Sequence, residues 1–209
     1  MREKEPSTRV IFVRHGMTDF PKDRIYCDDR EDPVLNEQGR RQAEQAAHAL
    51  AAVPVDHIFT SPMQRTLATA RAIQHTNGAA LVTDAALRER RFGVWDGLYF
   101  KEIEQQYPRE YAEWKQNPAL YNPRDGESID ALQRRVQAAI TEFTERHPGK
   151  TLLVVSHVGP IRVGVCAAIG LPVEGYRQLT VDYCSLTRVD YGRRQNNLIY
   201  LNFGGLPLA

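Results

Sequence analysis

Arg9-Val10-Ile11-Phe12-Val13-Arg14-His15-Gly16 holds four consecutive apolar residues that end on an arginine, a histidine and a glycine. A short run rich in branched side chains reads as a strand buried on both faces, the kind found inside a parallel sheet. The pattern recurs twice. Residues 56–60 (DHIFT) run into Ser61-Pro62-Met63-Gln64-Arg65. There Ser61 reads as a helix N-cap, Pro62 as the first helical residue and Gln64 as the capping-box partner, with Leu67, Ala70 and Ile73 continuing a buried stripe. Residues 151–155 (TLLVV) run into Ser156-His157-Val158-Gly159-Pro160, and the next helix is expected from about Pro160 to Ile169. Strands alternating with helices predict an α/β fold, a three-layer sandwich around a mainly parallel twisted sheet. Such sheets bind ligands beyond the carboxyl ends of their strands, where helix N-termini converge. Arg14-His15, Arg65 and His157 stand at three of those ends.

The remaining segments fill in the layers. Asn36 suits an N-cap, followed by Ala43, Ala46, Ala47 and Leu50 at helical spacing. Residues 80–83 read as a short strand. Ile129, Leu132, Val136, Ile140 and Phe143 make an amphipathic helix, capped by Ser128 and stopped by Pro148-Gly149. Residues 184–189 and 198–203 read as two strands around a polar turn. Residues 92–121 carry both tryptophans, Trp95 and Trp114, and are broken by Pro108 and Pro118. This stretch, extending to about residue 126, is expected to be a small helical insertion over the site.

With 209 residues and 42% apolar composition, residues 1–209 are expected to form a single domain around one core. Lys and Arg total 27 against 26 for Asp and Glu, a net charge of +1. That balance offers no broad attraction to nucleic acid or an acidic membrane, so anion binding must come from a local cluster. Cys27, Cys166 and Cys184 form no C-x-x-C pair, which argues against a zinc knuckle or a disulfide framework. They read as two buried small hydrophobes and one loop thiol. Residues 1–8 lack an apolar leader core, and no apolar stretch approaches the ~20 residues of a membrane span. A cytoplasmic setting is expected, with a small phosphorylated molecule as partner and a homodimer left open.

The cluster suits phosphoryl transfer. Without a metal, that chemistry needs cations for the equatorial oxygens, a nucleophile and a proton donor for the leaving oxygen. Arg14 and Arg65 offer guanidinium forks. A neutral imidazole can attack phosphorus, and a second, protonated imidazole can donate to the phosphoryl oxygens. Metal ligation by His15 and His157 lacks an evident third ligand. No cofactor is expected.

Together with their neighbours these residues resemble the histidine phosphatase superfamily, in its phosphoglycerate mutase-like branch. Val13-Arg14-His15-Gly16-Met17-Thr18 is similar to the opening motif, Ser61-Pro62-Met63-Gln64-Arg65-Thr66-Leu67 to the second block, Leu87-Arg88-Glu89-Arg90-Arg91-Phe92-Gly93-Val94-Trp95-Asp96-Gly97 to the third, and Val155-Ser156-His157-Val158-Gly159 to the fourth. The resemblance implies that His15 is phosphorylated, that Arg14, Arg65 and His157 bind phosphate, that His157 also takes part in catalysis, and that Glu89 is the general acid. Spacing alone does not choose among Asp84, Glu89 and Asp96; the resemblance selects Glu89. One departure falls at Pro21, where the family often has an asparagine, and a usual glycine of the 19–32 loop is replaced near Cys27 or Asp28. The third block resembles the phosphatase members, which implies a metal-independent phosphomonoesterase. A cofactor-dependent phosphoglycerate mutase and a non-catalytic phosphate-binding domain are the alternatives. Arg88, Arg90 and Arg91 read as exposed loop cations able to meet an anionic leaving group.

Overall fold

The computed structural model describes residues 7–26 and 30–204, so the reading of Cys27 and Asp28 lies outside the described residues. Six strands form one sheet: β1 (Thr8–Arg14), β2 (His57–Thr60), β3 (Ala80–Thr83), β4 (Thr151–Ser156), β5 (Leu186–Tyr191) and β6 (Asn196–Phe203). Their order across the sheet is β3-β2-β4-β1-β5-β6. The first four run parallel; β5 and β6 are antiparallel to their neighbours. The sheet is therefore mixed, with a mainly parallel half that carries the three motif-bearing strands side by side.

The helices are α1 (Glu37–Leu50), α2 (Gln64–Asn77), α3 (Phe100–Gln106), α4 (Pro108–Gln116), α5 (Ile129–Arg146) and α6 (Val158–Ile169). Alternation along β1 sorts its side chains between two cores. Ile11 and Val13 pack with Ile58, Leu153 and Val155 under α1 and α2, whereas Val10 and Phe12 pack with Leu152 and Val154 under α5 and α6. This is the expected three-layer arrangement. On the α5 side Phe59 and Phe143 stack with ring centroids 3.8 Å apart. A third cluster gathers Ile25, Trp95 and Ile103, with Tyr121 stacked on the Trp95 indole, and holds the α3–α4 insertion together. Cys166 and Cys184 are buried and free.

Two helix starts differ from expectation. Ser61 does not cap α2, because its hydroxyl is engaged by His157. The helix begins at Gln64, whose N–H donates to both Asp32 carboxylate oxygens at 3.0 Å. Helix α6 begins at Val158, so that His157 itself occupies the cap position. The other caps form as read, with Asn36 accepting from the Gly39 N–H and Ser128 from the Ala131 N–H. Glycine is required where the exit of β1 crosses the first turn of α1. A Cβ on Gly16 would lie 2.4 Å from the Gly39 carbonyl oxygen, and one on Gly39 would lie 2.0 Å from the Met17 oxygen.

Candidate active site

The C-terminal ends of β1, β2 and β4 bring the three motifs to one pocket. His15 is 3% exposed, Arg65 0% and His157 1%. The two imidazoles meet edge to face with centroids 5.2 Å apart. The loop after His15 is clamped on both sides: the Gly16 N–H donates to Thr69 Oγ1 of α2, and the Met17 N–H donates to Gln42 Oε1 of α1.

Hydrogen bonding assigns the protons. His15 Nδ1 lies 2.8 Å from the Gly16 carbonyl oxygen, which can only accept, so Nδ1 carries the hydrogen and Nε2 keeps its lone pair. His157 Nδ1 lies 3.1 Å from Arg65 Nη2. A guanidinium only donates, so this Nδ1 accepts, and Nε2–H donates to Ser61 Oγ at 2.9 Å. His157 is thus neutral here. Its environment gives the reason. Burial, then Arg65, His15 and Arg14, hold its pKa well below the ordinary value; burial, Arg65 and Arg14 do the same to His15.

Arg14 is held by neutral contacts, Arg65 by an aromatic ring and a carboxylate. Arg14 donates from Nη1 to the Val181 carbonyl at 2.8 Å and lies over the Tyr183 ring at 3.8 Å. Its buried Nε–H has no hydrogen-bond partner among the described residues. Arg65 lies 4.5 Å from the Tyr26 ring centroid, and its Nη1 is 3.7 Å from Asp32 Oδ1. Tyr26 in turn shares a 3.0 Å hydrogen bond with Thr18 and stacks on Phe20. Pro21 lies outside these contacts; its carbonyl accepts from the Arg24 N–H.

Glu89 reaches the same rim. Its Oε2 accepts from the Gly159 N–H at 3.2 Å, and its Oε1 from the Arg90 N–H at 2.8 Å. The approach is so close that a Cβ on Gly159 would fall 2.2 Å from Oε1. Arg135 of α5 fixes this segment from behind. It grips Glu127 with two nitrogens and donates to the Ala86 and Glu89 carbonyls. Neither Asp84 nor Asp96 shares this position: Asp84 caps the turn Ala85–Leu87, and Asp96 accepts from the Phe92 N–H. Arg90 departs from its expected exposure. It is 4% exposed and donates to the Glu127 and Tyr121 carbonyls. No group of three or more His, Cys, Asp or Glu side chains placed to hold a metal occurs among the described residues.

Residues 10–204 match the model of the histidine phosphatase superfamily, branch 1. The chain belongs to this family. It is 29% identical to phosphoserine phosphatase 1 of Hydrogenobacter thermophilus over 93% of its own length and 92% of that protein. It is 34% identical to a protein named probable phosphoglycerate mutase GpmB of Yersinia enterocolitica, over 88% of this chain and 85% of that one. Among solved structures, mycobacterial glucosyl-3-phosphoglycerate phosphatase superposes with a TM-score of 0.83 at 26% identity, covering 93% of this chain and 98% of that one. This histidine phosphatase superfamily member has no helix long and apolar enough to cross a membrane among its described residues.

Ser61, Tyr26, Tyr183, Asp32 and Arg135 belong to the site and were not anticipated. Ser61 carried a signal, standing at a strand end like His157, but its capping role explained it too well. Tyr183 reaches Arg14 because β5 lies next to β1, an adjacency that no local pattern announces.

Proposed function

We propose that this chain is a phosphomonoesterase that hydrolyses a small phosphorylated metabolite through a phosphohistidine on His15. The observation that carries the reading is the His15 tautomer. Its Nε2 lone pair is unprotonated, buried and flanked by two arginines, which suits in-line attack on phosphorus. Arg14 and Arg65 take the equatorial oxygens, and the buried Arg14 Nε–H gains the acceptor it otherwise lacks. An unmet buried donor costs about 1–3 kcal/mol, so anion binding relieves it. The incoming dianion reverses the local field. Arg65 Nη2 then turns to phosphate, and His157 takes up a proton and donates from Nδ1. As the phosphorus–oxygen bond breaks, protonated Glu89 gives its proton to the leaving alcohol. The same carboxylate then removes a proton from water, which attacks phosphorus, releases inorganic phosphate and restores neutral His15.

The test is an acid-free quench during turnover of 32P-labelled p-nitrophenyl phosphate. Label is expected on His15 and is absent in His15→Ala; label persisting in that variant overturns the assignment. Turnover is expected to survive EDTA because the arginines supply the cationic groups, and loss restored by Mg²⁺ would count against that. The similarity to a mutase-named protein makes phosphoryl return to a bound acid the second reading. Isomerisation of 3-phosphoglycerate dependent on bisphosphoglycerate, without phosphate release, would establish it.

A further inference from the structure

Beside Glu89 a cavity of about 220 Å³ opens between α6 and the aromatic insertion. That volume is enough for a small organic leaving group. Tyr26, which covers Arg65, and Gly159, which binds Glu89, both line it, so it continues directly from the phosphate pocket. Phe92, Phe100 and Trp114 supply its aromatic lining.

The lining is also cationic, with Arg177 beside Trp114 and Arg90 beside Phe92. Arg162 stands three residues after Gly159 on α6, nearly one helical turn of ~5.4 Å beyond the amide that holds Glu89. Its Nε donates to the Leu179 carbonyl at 2.6 Å, which fixes the plane of the fork. No carboxylate lies within ion-pair distance of it among the described residues, although Glu89 is close enough to act on it electrostatically. Arg177 lines the same cavity, 5.9 Å from the Trp114 ring centroid, also without an ion-pair partner among the described residues. Arg24 is different, because Glu31 neutralises it. Arg90 adds a buried cation whose acceptors are carbonyls and the Tyr176 hydroxyl. Against these cations the lining offers one carboxylate, Glu89, whose proposed task is proton transfer.

We infer that this cavity is the leaving-group subsite and that it selects phosphomonoesters whose alcohol carries a carboxylate, gripped by Arg162 with Arg177 as the outer cation. This rests on the phosphatase reading above and adds the substrate class to it. A guanidinium fork one turn from the proton donor fits a carboxylate a few bonds from the ester oxygen. A monoanion suits the lining better than a second phosphate dianion, since Glu89 shares it.

The experiment compares kcat/KM for 3-phosphoglycerate with that for sn-glycerol 3-phosphate, which replaces the carboxylate by a hydroxymethyl group. A charge-assisted hydrogen-bonded pair predicts a preference for the acid of about 30-fold. In Arg162→Met the ratio falls close to one, mainly through KM for the acid; Arg162→Lys keeps part of it. Taking the ratio within each variant cancels losses common to both substrates. Arg177→Met, an exposed position, lowers the ratio about threefold without challenging folding. Phosphate release from both substrates at a ratio near one, unaltered in Arg162→Met, overturns the subsite and leaves the phosphatase intact. Absence of release from any phosphomonoester overturns the phosphatase reading instead.

Discussion

Burial favours the neutral form of His15 at and below neutral pH. An exposed imidazole of pKa ~6.5 is half protonated, and therefore half disabled as a nucleophile, at that pH. Desolvation and two flanking arginines push His15 well below this value. The acid limb of kcat/KM, which reports the free enzyme, is therefore expected well below pH 6.5; a limb at 6.5 or above would show that the nucleophile is not the buried His15. Proton uptake by His157 on anion binding has its own readout. Calorimetric titration with vanadate in buffers of different ionisation enthalpy should show net protons absorbed near pH 7. At Gly159 the argument is steric. Gly159→Ala places a methyl where Glu89 Oε1 now sits, so kcat on alkyl phosphates should drop about 100-fold, within the range of general acid–base catalysis. The drop should be smaller for p-nitrophenyl phosphate, whose leaving group needs no proton, and equal losses on both would refute Glu89 as donor. That His15, Arg14, Arg65 and His157 converge was legible because each stands at a strand end in a short motif, whereas Glu89 was singled out from Asp84 and Asp96 only by the family resemblance. Tyr26, Tyr183 and Arg162 were not legible, since what brings them to the pocket is ring packing and cavity shape, without a local pattern of residue types.

Among the elements, β1, β4 and α5 could be read almost to the residue, because their apolar spacing agrees with their caps and stops. The start of α2 could not. Ser61-Pro62 has the composition of a helix start, yet the hydroxyl is committed to His157 and a carboxylate from residue 32 serves the first turn instead. A local rule lost to a tertiary contact at the functional site, where such losses are expected. Arg135 shows how one helix supports the segment that carries Glu89. Its partner Glu127 has a side chain only 7% exposed, so Arg135→Met leaves a largely buried carboxylate without its cation and releases the Ala86 and Glu89 carbonyls. Urea unfolding should record a loss of about 2–3 kcal/mol, discounted from the cost of a fully buried broken pair because Arg135 itself is partly exposed.

For the whole molecule, neutral buried histidines link folding to pH. Below ~6.5 the unfolded chain binds protons on His15 and His157, while the native protein, with both pKa values depressed, does not. The unfolded state then holds more protons, so stability falls as pH falls below that point, by about 1.4 kcal/mol per pH unit for each histidine. Urea midpoints measured without phosphate between pH 7 and 5.5 should fall accordingly, and a flat profile would mean that the pocket admits protons when folded. The layered α/β plan was legible from alternation of strand and helix signals, but the sheet order was not, because strand adjacency is decided by packing across the whole chain. That order has a consequence during synthesis. β4 lies between β1 and β2, and Arg65 and His157 are 92 residues apart. At ~5–20 residues per second, ribosomes need roughly 5–20 s to make that interval. Throughout it β1 and β2 lack the strand that joins them. On the nascent chain the Arg65–His157 contact therefore waits for β4, so the two halves of the pocket stay apart until the strand between β1 and β2 has been made.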